Sequence, residues 1–417
     1  MKRTKIVATL GPASLKSGIL EKMLFAGVNV FRVNFSHGEA EENRKTILKV
    51  QAILKKTKRN AAILADLQGP KLRIGNVQDG VFLSPGDLLT FTNKPCNGTR
   101  EKVFMTYDSF PTDVRVGETI LLDDGKLLMR VVSSNSKDEV VAETIQGGPL
   151  KSNKGVNLPN TRVSLPCLTD KDIYDLNVAL EAGVDWVGLS FVRGKQDIKD
   201  LRKIINEKKS SAGIIAKIEK PEAVSDIDAI LEETDAVMVA RGDLGVEVPM
   251  ESVPLIQKMI ISKAISRARP VIVATQMMES MIDSLTPSRA EVNDVSCAVI
   301  DGADAVMLSA ETSVGQYPVE VVETMSKIVK ASELSSASRI KGRKPQPEDK
   351  RFISNALCYQ AAKTANLVEA RSICALTFSG YSAKLISSFR PKSNVYVFTA
   401  NRSILNKICL YWGVSGF

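Results

Sequence analysis

Residues 213–247 read GIIAKIEKPEAVSDIDAILEETDAVMVARGDLGVE, and this stretch decides the fold. It holds two short apolar runs, at residues 214–218 and 236–240, made of β-branched and small side chains and ended by charge or glycine. Runs of this length and composition are typical of strands that are buried on both faces. The stretch therefore predicts two buried strands whose charged neighbours lie at their carboxyl ends.

Charged groups follow both of these runs. Lys217 and Glu219 end the first run, and Arg241, Gly242 and Asp243 follow the second. Two carboxylates and a lysine that meet at the carboxyl ends of strands can hold a hard divalent cation against an anionic substrate. A structural ion-pair cluster that closes the end of a sheet is the alternative, because structural networks also gather charge.

Length and hydropathy describe a soluble protein of several domains. A chain of 417 residues exceeds the usual size of one core, which predicts two or three domains. The apolar runs are far shorter than the roughly 18 residues that a membrane span needs, and residues 1–12 lack the apolar length of a secretory signal. We therefore expect a cytoplasmic protein with no membrane partner.

The residue types argue against several kinds of site. Six cysteines occur without a CxxC spacing, so neither a zinc ribbon nor a disulfide framework is predicted. His37 is the only histidine, which argues against sites built on several histidines and against catalytic triads. The net charge of +9 favours anionic partners. With 5% aromatic residues and no basic run interleaved with them, phosphorylated small molecules are favoured over nucleic acid.

Strands and helices alternate at the start of the chain. Apolar runs at residues 6–10, 28–33 and 61–65 predict strands, and helical spacing of apolar residues predicts helices over 17–25 and 40–54. This alternation of strands and helices stops between residues 70 and 165. Short segments of alternating apolar and polar residues, separated by turn signals, predict a small antiparallel β domain there, with Asp124-Gly125 as a two-residue hairpin turn. We place it as an inserted β-barrel lid.

The alternation of strands and helices resumes after Asp170, which is the expected N-cap of a helix over residues 172–182. Further strands are predicted at residues 184–189, 214–218, 236–240, 271–274 and 305–308. Three strands before the insertion and five after it predict a (β/α)8 TIM barrel, whose active site lies at the carboxyl ends of the strands. An open doubly wound sheet is the alternative, but no GxGxxG follows the first strand.

A third domain follows the barrel. Residues 340–351 are charged and without periodicity, which indicates a linker. Beyond it, predicted helices at 352–367, after Gly380 and at 403–411 alternate with strands at 372–377 and 395–399. A further strand starts at 413–417, so this α/β domain is expected to be incomplete. The predicted division is 1–69 and 166–339 for the barrel, 70–165 for the lid and 340–417 for the third domain.

The polar residues at the strand exits form one set of candidate site residues. They are Arg32, Asn34, Ser36, Asp66, Arg73, Lys217, Glu219, Asp243, Thr275, Ser309 and Glu311. Lysine and arginine beside acidic metal ligands suit phosphoryl transfer, in which the protein positions groups and neutralises charge. The chain contains neither a Walker A sequence nor a kinase glycine-rich loop. A lid closing over the substrates would exclude water.

Six motifs carry a resemblance to a known family. They are FRVNFSHG (31–38), ADLQGPKLR (65–73), IIAKIEKPE (214–222), MVARGDLGVE (238–247), VIVATQMMESM (271–281) and VMLSAETSVGQYP (306–318). Together they resemble pyruvate kinase, in order and over nearly the whole chain. The resemblance implies transfer of a phosphoryl group from phosphoenolpyruvate to ADP, giving pyruvate and ATP.

The resemblance also implies roles for the strand-exit residues. Arg32 and Arg73 are expected to contact phosphate, and Lys217 to neutralise the phosphoryl group in flight. Glu219 and Asp243 are expected to hold Mg²⁺, for which Mn²⁺ can substitute.

Substrate binding and proton transfer are implied for a second group of residues. The backbone at Gly242 and Asp243 is expected to bind the substrate carboxylate. Thr275 is expected near the enolate, with Ser309 and Glu311 supporting a proton relay. Taken alone, Thr275 is better explained as a hydroxyl that caps a loop.

Monovalent-cation and nucleotide sites are implied as well. Asn34, Ser36 and Asp66 match the family's monovalent-cation site, and Asn34, Ser36, His37 and Lys171 match nucleotide contacts. As lone residues, His37 and Lys171 are more typical of ordinary surface groups.

The chain departs from the family pattern at one position. Most characterised potassium-dependent relatives carry Thr-Lys-Gly-Pro-Glu after the aspartate, whereas residues 67–71 read Leu-Gln-Gly-Pro-Lys. The ammonium group of Lys71 can supply the positive charge that K⁺ supplies beside a glutamate. We therefore expect K⁺ to be dispensable.

Regulation and assembly are implied by the resemblance alone. Residues 377–383 resemble the family's effector phosphate loop, which implies a phosphorylated effector at the third domain, although a plain strand-to-helix turn fits equally well. The family implies a homotetramer. A carbon–carbon lyase that binds a pyruvate enolate through Mg²⁺ is the alternative function, although it needs neither the large insertion nor Lys217.

Overall fold

The computed structural model describes residues 2–334 and 343–417, so the domain boundary expected between residues 339 and 340 lies outside the described residues. In chain order the strands are β1 (Lys5–Thr9), β2 (Val30–Asn34), β3 (Ala62–Asp66), β4 (Phe82–Leu83), β5 (Leu88–Thr92), β6 (Lys102–Phe104), β7 (Thr119–Leu122), β8 (Leu127–Ser134), β9 (Glu139–Gln146), β10 (Gly148–Pro149), β11 (Val156–Asn157), β12 (Trp186–Leu189), β13 (Gly213–Ile218), β14 (Ala236–Ala240), β15 (Val271–Ala274), β16 (Ala305–Leu308), β17 (Ser372–Leu376), β18 (Asn394–Phe398) and β19 (Val414–Gly416). The helices are α1 (Ile19–Ala26), α2 (Ala40–Thr57), α3 (Phe110–Asp113), α4 (Asp170–Glu181), α5 (Lys195–Glu207), α6 (Pro221–Ser225), α7 (Ile227–Glu233), α8 (Arg241–Glu247), α9 (Val253–Ser266), α10 (Arg289–Asp301), α11 (Ala310–Ser313), α12 (Pro318–Leu334), α13 (Phe352–Leu367), α14 (Tyr381–Ser388) and α15 (Arg402–Lys407). Short 3-10 helices lie at Met250–Ser252, Glu279–Ile282 and Ile408–Leu410.

Eight parallel strands close into a barrel in the order β1-β16-β15-β14-β13-β12-β3-β2. The first and last strands pair directly, with Lys5 opposite Ala305. Successive side chains of each strand point to opposite faces, so Val7 belongs to the core inside the barrel whereas Ile6 packs in the core beneath the helices. Both faces are buried, which is why the strands read as apolar runs. The prediction of a (β/α)8 barrel is confirmed.

The inserted lid lies between β3 and α4. Its main sheet is curled and has six strands in the order β11-β7-β8-β9-β5-β6, and β4 pairs with β10 beside it. All these pairs are antiparallel except that of β5 with β6. The two-residue turn predicted at Asp124-Gly125 is wrong, because Leu122 pairs with Leu127 and four residues form the connection. Asp123, Asp124 and Gly125 all adopt positive φ there.

The helix that follows the lid begins at Asp170, two residues before the predicted start. Thr169 is the N-cap, and its hydroxyl accepts the N–H of Asp172 while the Asp172 carboxylate accepts the N–H of Thr169. This reciprocal pair satisfies two free donors at the helix start, so the prediction of Asp170 as N-cap is wrong. The same carboxylate accepts the N–H of Gly69 at 3.0 Å, which ties the entry of the lid to α4.

The third domain is a parallel sheet in the order β17-β18-β19, packed with α13, α14 and α15. It rests on the amino ends of the barrel strands, where Arg390 forms a buried ion pair of 2.8 Å with Asp304. The ammonium group of Lys5 donates to the carbonyl of Val414 at 2.7 Å. Within the described ranges, no helix has the length and apolar character that a membrane crossing requires.

Candidate active site

A chain of alternating charges lies at the carboxyl ends of the barrel strands. Arg32 of β2 donates to Asp66 at the end of β3 at 2.6 Å. The ammonium group of Lys217 on β13 lies 3.3 Å from the other oxygen of Asp66 and 3.0 Å from Glu219. Parallel strand ends meet at one rim of the barrel, and this geometry brings together residues that are up to 187 positions apart, from Arg32 to Glu219.

Burial makes these charges strongly interdependent. Burial on its own would lower the pKa of Lys217, but the negative charges of Asp66 and Glu219 outweigh burial and hold the pKa above its ordinary value. Burial tends to raise the pKa of Asp66, but Lys217 and Arg32 lower it overall. The Lys217 side chain is 12% exposed, compared with 1% for Asp66 and Glu219. The site therefore presents a fixed ammonium group in a largely dry pocket.

Glu219 and Asp243 form a carboxylate pair that suits a divalent cation. Burial raises the pKa of Glu219, and the charge of Asp243 raises it further, although Lys217 opposes both effects. A bound cation would relieve this repulsion. No group of three or more His, Cys, Asp or Glu residues in the described part of the chain could enclose a metal ion. Two carboxylates with water and substrate oxygens form the ligand set that Mg²⁺ accepts.

Thr275 occupies a strained turn after β15. Its φ is +70°, a region that a β-branched residue rarely adopts. Its hydroxyl accepts the N–H of Gly242 at 2.8 Å and donates to the carbonyl of Ala274 at 2.6 Å. The structure thus places Thr275 directly against the start of α8, beside Asp243.

Arg241 holds this turn in place. Its guanidinium group binds Asp294 through two hydrogen bonds of 2.6 and 2.7 Å and also donates to the carbonyl of Thr275 at 2.6 Å. The strand-exit pattern had placed Arg241 beside the site without a role. Its contacts indicate that it positions Thr275.

Ser309 and Glu311 lie on the adjacent strand exit. The Glu311 carboxylate accepts the N–H of Ser309 at 2.5 Å and that of Met278 at 3.2 Å. Burial raises the pKa of Glu311. Glu311 thus connects the loop after β15, which Thr275 begins, to the exit of β16.

Two expected phosphate and cation residues lie away from the charged cluster. Arg73 belongs to the entry of the lid, where its guanidinium group donates to the carbonyl of Asn153 at 2.9 Å. Lys71 is exposed and faces Gly155 of the lid. The described structure therefore does not bring Lys71 into contact with Asp66.

The expected monovalent-cation and nucleotide residues lie around the exit of β2. Asn34 is paired with Asp66 in the strand register, and its side-chain oxygen accepts the N–H of Ser36 at 3.1 Å. His37 is exposed on the same loop. Lys171 donates to the carbonyl of Phe35 at 3.0 Å and pairs with Asp175 at 2.5 Å.

Two hydroxyl groups of the site were not among the residues predicted from the sequence. Ser190 follows β12 and accepts a hydrogen bond of 2.7 Å from the ammonium group of Lys217. Thr9 ends β1 and accepts one of 3.0 Å from Arg32. Both lie at the carboxyl end of a barrel strand, as the predicted charged residues do. The same criterion, applied to every barrel strand, includes Thr9 and Ser190 as well.

The lid meets the barrel beside this cluster. A cleft between the two is lined by residues of both, among them Lys71, Phe191, Arg193 and Asp243. At its edge, Glu247 of α8 accepts hydrogen bonds from Lys220 at 2.6 Å and from the amide of Asn157 on the lid strand β11 at 2.8 Å. These contacts form a direct polar bridge between lid and barrel.

The three comparisons with known proteins all point to the same family. Residues 1–322 match the family model "Pyruvate kinase, barrel domain" and residues 355–417 match "Pyruvate kinase, alpha/beta domain". The chain is 44% identical to a pyruvate kinase of Corynebacterium glutamicum over 421 aligned residues, covering 100% of this chain and 86% of that protein. It is 40% identical to a pyruvate kinase of Mycobacterium tuberculosis, with 100% and 87% covered. A crystal structure of a pyruvate kinase from Cryptosporidium parvum superposes with a TM-score of 0.94 at 34% identity, covering 100% of this chain and 87% of that one. The chain belongs to the pyruvate kinase family.

Proposed function

We propose that this chain transfers the phosphoryl group of phosphoenolpyruvate to ADP, giving pyruvate and ATP. The observation that carries this proposal is the ammonium group of Lys217, held between Asp66 and Glu219 at the rim of the barrel. A fixed cation in a dry site stabilises the charge on a transferring phosphoryl group. The comparisons name pyruvate kinases throughout and lend no support to the lyase alternative.

The acidic pair supplies the metal site in this proposal. Glu219 and Asp243 would hold Mg²⁺, or Mn²⁺ in its place. When bound, the ion neutralises phosphoryl and enolate oxygens as a Lewis acid. Arg32, kept in place by Asp66, contacts the phosphate, and Arg73 joins it from the lid.

Other residues orient the substrate and move a proton. The backbone of Gly242 and Asp243 binds the substrate carboxylate, and Gly242 must then exchange its hydrogen bond to Thr275 for one to substrate. Thr275 lies beside the carbon that is protonated. Ser309 and Glu311, which follow β16, support this relay.

Nucleotide and monovalent-cation binding belong to the exit of β2. Asn34, Ser36, His37 and Lys171 contact ADP in this proposal. A monovalent cation would bind at Asn34, Ser36 and Asp66, and the positive charge of Lys71 makes K⁺ dispensable when substrates draw the lid towards the barrel.

Assembly, location and regulation complete the proposal. The protein acts in the cytoplasm as a homotetramer, and a phosphorylated effector binds the loop at residues 377–383. In this loop the Thr377 hydroxyl accepts the N–H of Gly380 at 3.0 Å, which supports a turn rich in hydroxyl and amide donors.

The direct test measures pyruvate and ATP formation from phosphoenolpyruvate and ADP with Mg²⁺, first in K⁺-free buffer and then with K⁺ added. We expect activity in both buffers and none without a divalent cation. Absence of both products under all these conditions would contradict the proposed reaction. Activity only with K⁺ would retain the reaction and contradict the role given to Lys71.

A further inference from the structure

A large cavity lies on the side of the barrel opposite to the candidate active site. It has a volume of about 990 Å³ and is enclosed by four segments of the chain. The barrel contributes the end of α7 and the turn after α9, both of which precede strands and so lie at the amino ends of the barrel. The third domain contributes one face of α14, and residues 343–355 form the remaining wall.

Positive charge predominates in the lining of this cavity. Its cationic residues are Arg267, Arg269, Arg343, Lys350 and Lys384, and its acidic residues are Glu232, Glu233 and Asp349. Two of the arginines are already neutralised, since Arg267 pairs with Asp228 at 2.8 Å and Arg343 pairs with Asp349. Three cationic side chains thus remain without a carboxylate partner within hydrogen-bond reach in the described residues.

Lys384 is the centre of this unpaired charge. It lies on the face of α14 that is turned to the barrel, and its ammonium group has no hydrogen bond or ion pair within the described parts of the chain. Burial, with the charges of Arg269 and Arg351, lowers its pKa to about 8, although Asp235 opposes this. A partly buried cation without a partner is unfavourable, and an anion in the cavity would provide that partner.

Arg269 lies on the barrel side of the cavity, facing α14. Its guanidinium group donates to the carbonyls of Leu231 and Glu232, both at 2.9 Å, which fixes the side chain across the end of α7. The barrel and the third domain therefore present one cation each to the same space. Lys350 adds a third, exposed cation from the wall between them.

We propose that this cavity binds a small phosphate-bearing molecule between the barrel and the third domain. A volume of about 990 Å³ lies at the upper end of the roughly 300–1,000 Å³ that is typical of small-molecule sites. The site adjoins the loop at residues 377–383, since Tyr381 lines it, but Thr377 lies in a separate cavity that is also lined by Leu376, Phe398 and Phe417 and shares no residue with this one. The proposal concerns binding and does not depend on the proposed reaction.

The test is calorimetric titration of the full chain with a sugar monophosphate and, separately, with inorganic phosphate. We expect Lys384→Gln to weaken binding at least tenfold and Lys350→Gln, at an exposed position, to weaken it about threefold. Lys392→Gln is the matched control, because it removes the same charge from an exposed position in the same domain. Thr377→Val should leave this binding unchanged.

Each result bears on the proposal. Loss of affinity in Lys384→Gln and Lys350→Gln with full affinity in Lys392→Gln supports it. Tighter binding of the sugar ester assigns the cavity to an organic phosphate, and equal affinities assign it to free phosphate. Binding that is unchanged in both cavity variants, or lost only in Thr377→Val, overturns the proposal, as does the absence of binding by both probes.

Discussion

The surroundings of Lys217 define the chemistry at the scale of single residues. Its ammonium group contacts oxygens of Ser190, Asp66 and Glu219. We expect Lys217→Met to lower kcat by about 10²–10³-fold or more, because it removes the cation that faces the moving phosphoryl group. Steady-state assays with phosphoenolpyruvate and ADP measure this. Lys203→Met, at an exposed position of α5, is the control and should keep full activity. A Lys217→Met enzyme within tenfold of the unmodified chain would refute the assignment.

Lys71 gives a second prediction. We expect the unmodified chain to work without K⁺ and Lys71→Glu to become K⁺-activated, because the substitution replaces a positive charge with a negative one that needs a counterion. The measurement is the rate of pyruvate formation over a K⁺ titration for both proteins. Strong, saturable activation of the unmodified chain by K⁺ would contradict this interpretation.

The sequence identified the charged cluster but not all of its neighbours. Arg32, Asp66, Lys217 and Glu219 each lie at or near the carboxyl end of a strand, and parallel strands bring these ends to one rim. Arg73 belongs to the lid instead. Its position depends on how two domains pack, and no periodicity within one segment encodes that. The strain at Thr275 was equally hidden, because nothing in the local sequence demands a positive φ.

At the scale of elements, the bridge between lid and barrel deserves a test of its own. Asn157→Ala removes the lid's hydrogen bond to Glu247 but leaves the pair of Glu247 with Lys220 intact. We expect a KM for phosphoenolpyruvate that is raised about threefold to tenfold, because the lid loses one hydrogen bond that holds it to the barrel while Lys220 still neutralises the Glu247 carboxylate. Faster hydrogen exchange at the lid entry should accompany it.

A matched change elsewhere in the lid separates this effect from a general loss of stability. Asn97→Ala alters an exposed residue of the same domain and should leave KM unchanged. Equal KM values for the Asn157→Ala and Asn97→Ala variants would show that the bridge does not hold the lid.

The buried strands were the most predictable elements. Strands 236–240, 271–274 and 305–308 have the predicted bounds, because both faces are apolar and a polar side chain, Arg241, Thr275 or Ser309, follows each run. Helix ends were less predictable. The helix expected over residues 403–411 ends at Lys407 and continues as a 3-10 turn over Ile408–Leu410. Such tightening of a last turn depends on packing against the rest of the fold.

For the whole molecule, Asp185 links stability to pH. It lies at the amino end of β12, where its carboxylate accepts the N–H of Ile63 at 2.8 Å. Burial raises its pKa from 3.8 to about 7. The folded chain therefore holds this proton more tightly than the unfolded chain, so the associated stability is present below about pH 4 and is lost as the pH rises through about 7.

Asp185→Asn should remove this dependence. We expect the free energy of unfolding of the unmodified chain, relative to the variant, to fall by a few kcal/mol between pH 4 and pH 8, at about 1.4 kcal/mol per pKa unit. Urea unfolding across this range measures it. Asp79→Asn, in an exposed turn of the lid, should run parallel to the unmodified chain. A constant difference between the unmodified chain and Asp185→Asn would contradict the prediction.

The pairing of β1 with β16 also has a consequence for how the protein is made. Lys5 lies opposite Ala305, which is 305 − 5 = 300 residues later in the chain. At a synthesis rate of about 5–20 residues per second, the first strand leaves the ribosome about 15–60 s before its last neighbour exists. During that interval one edge of the future barrel stays open while the lid, which lies between, can complete its own sheet. The nascent chain is therefore most exposed to wrong pairing in its first strand.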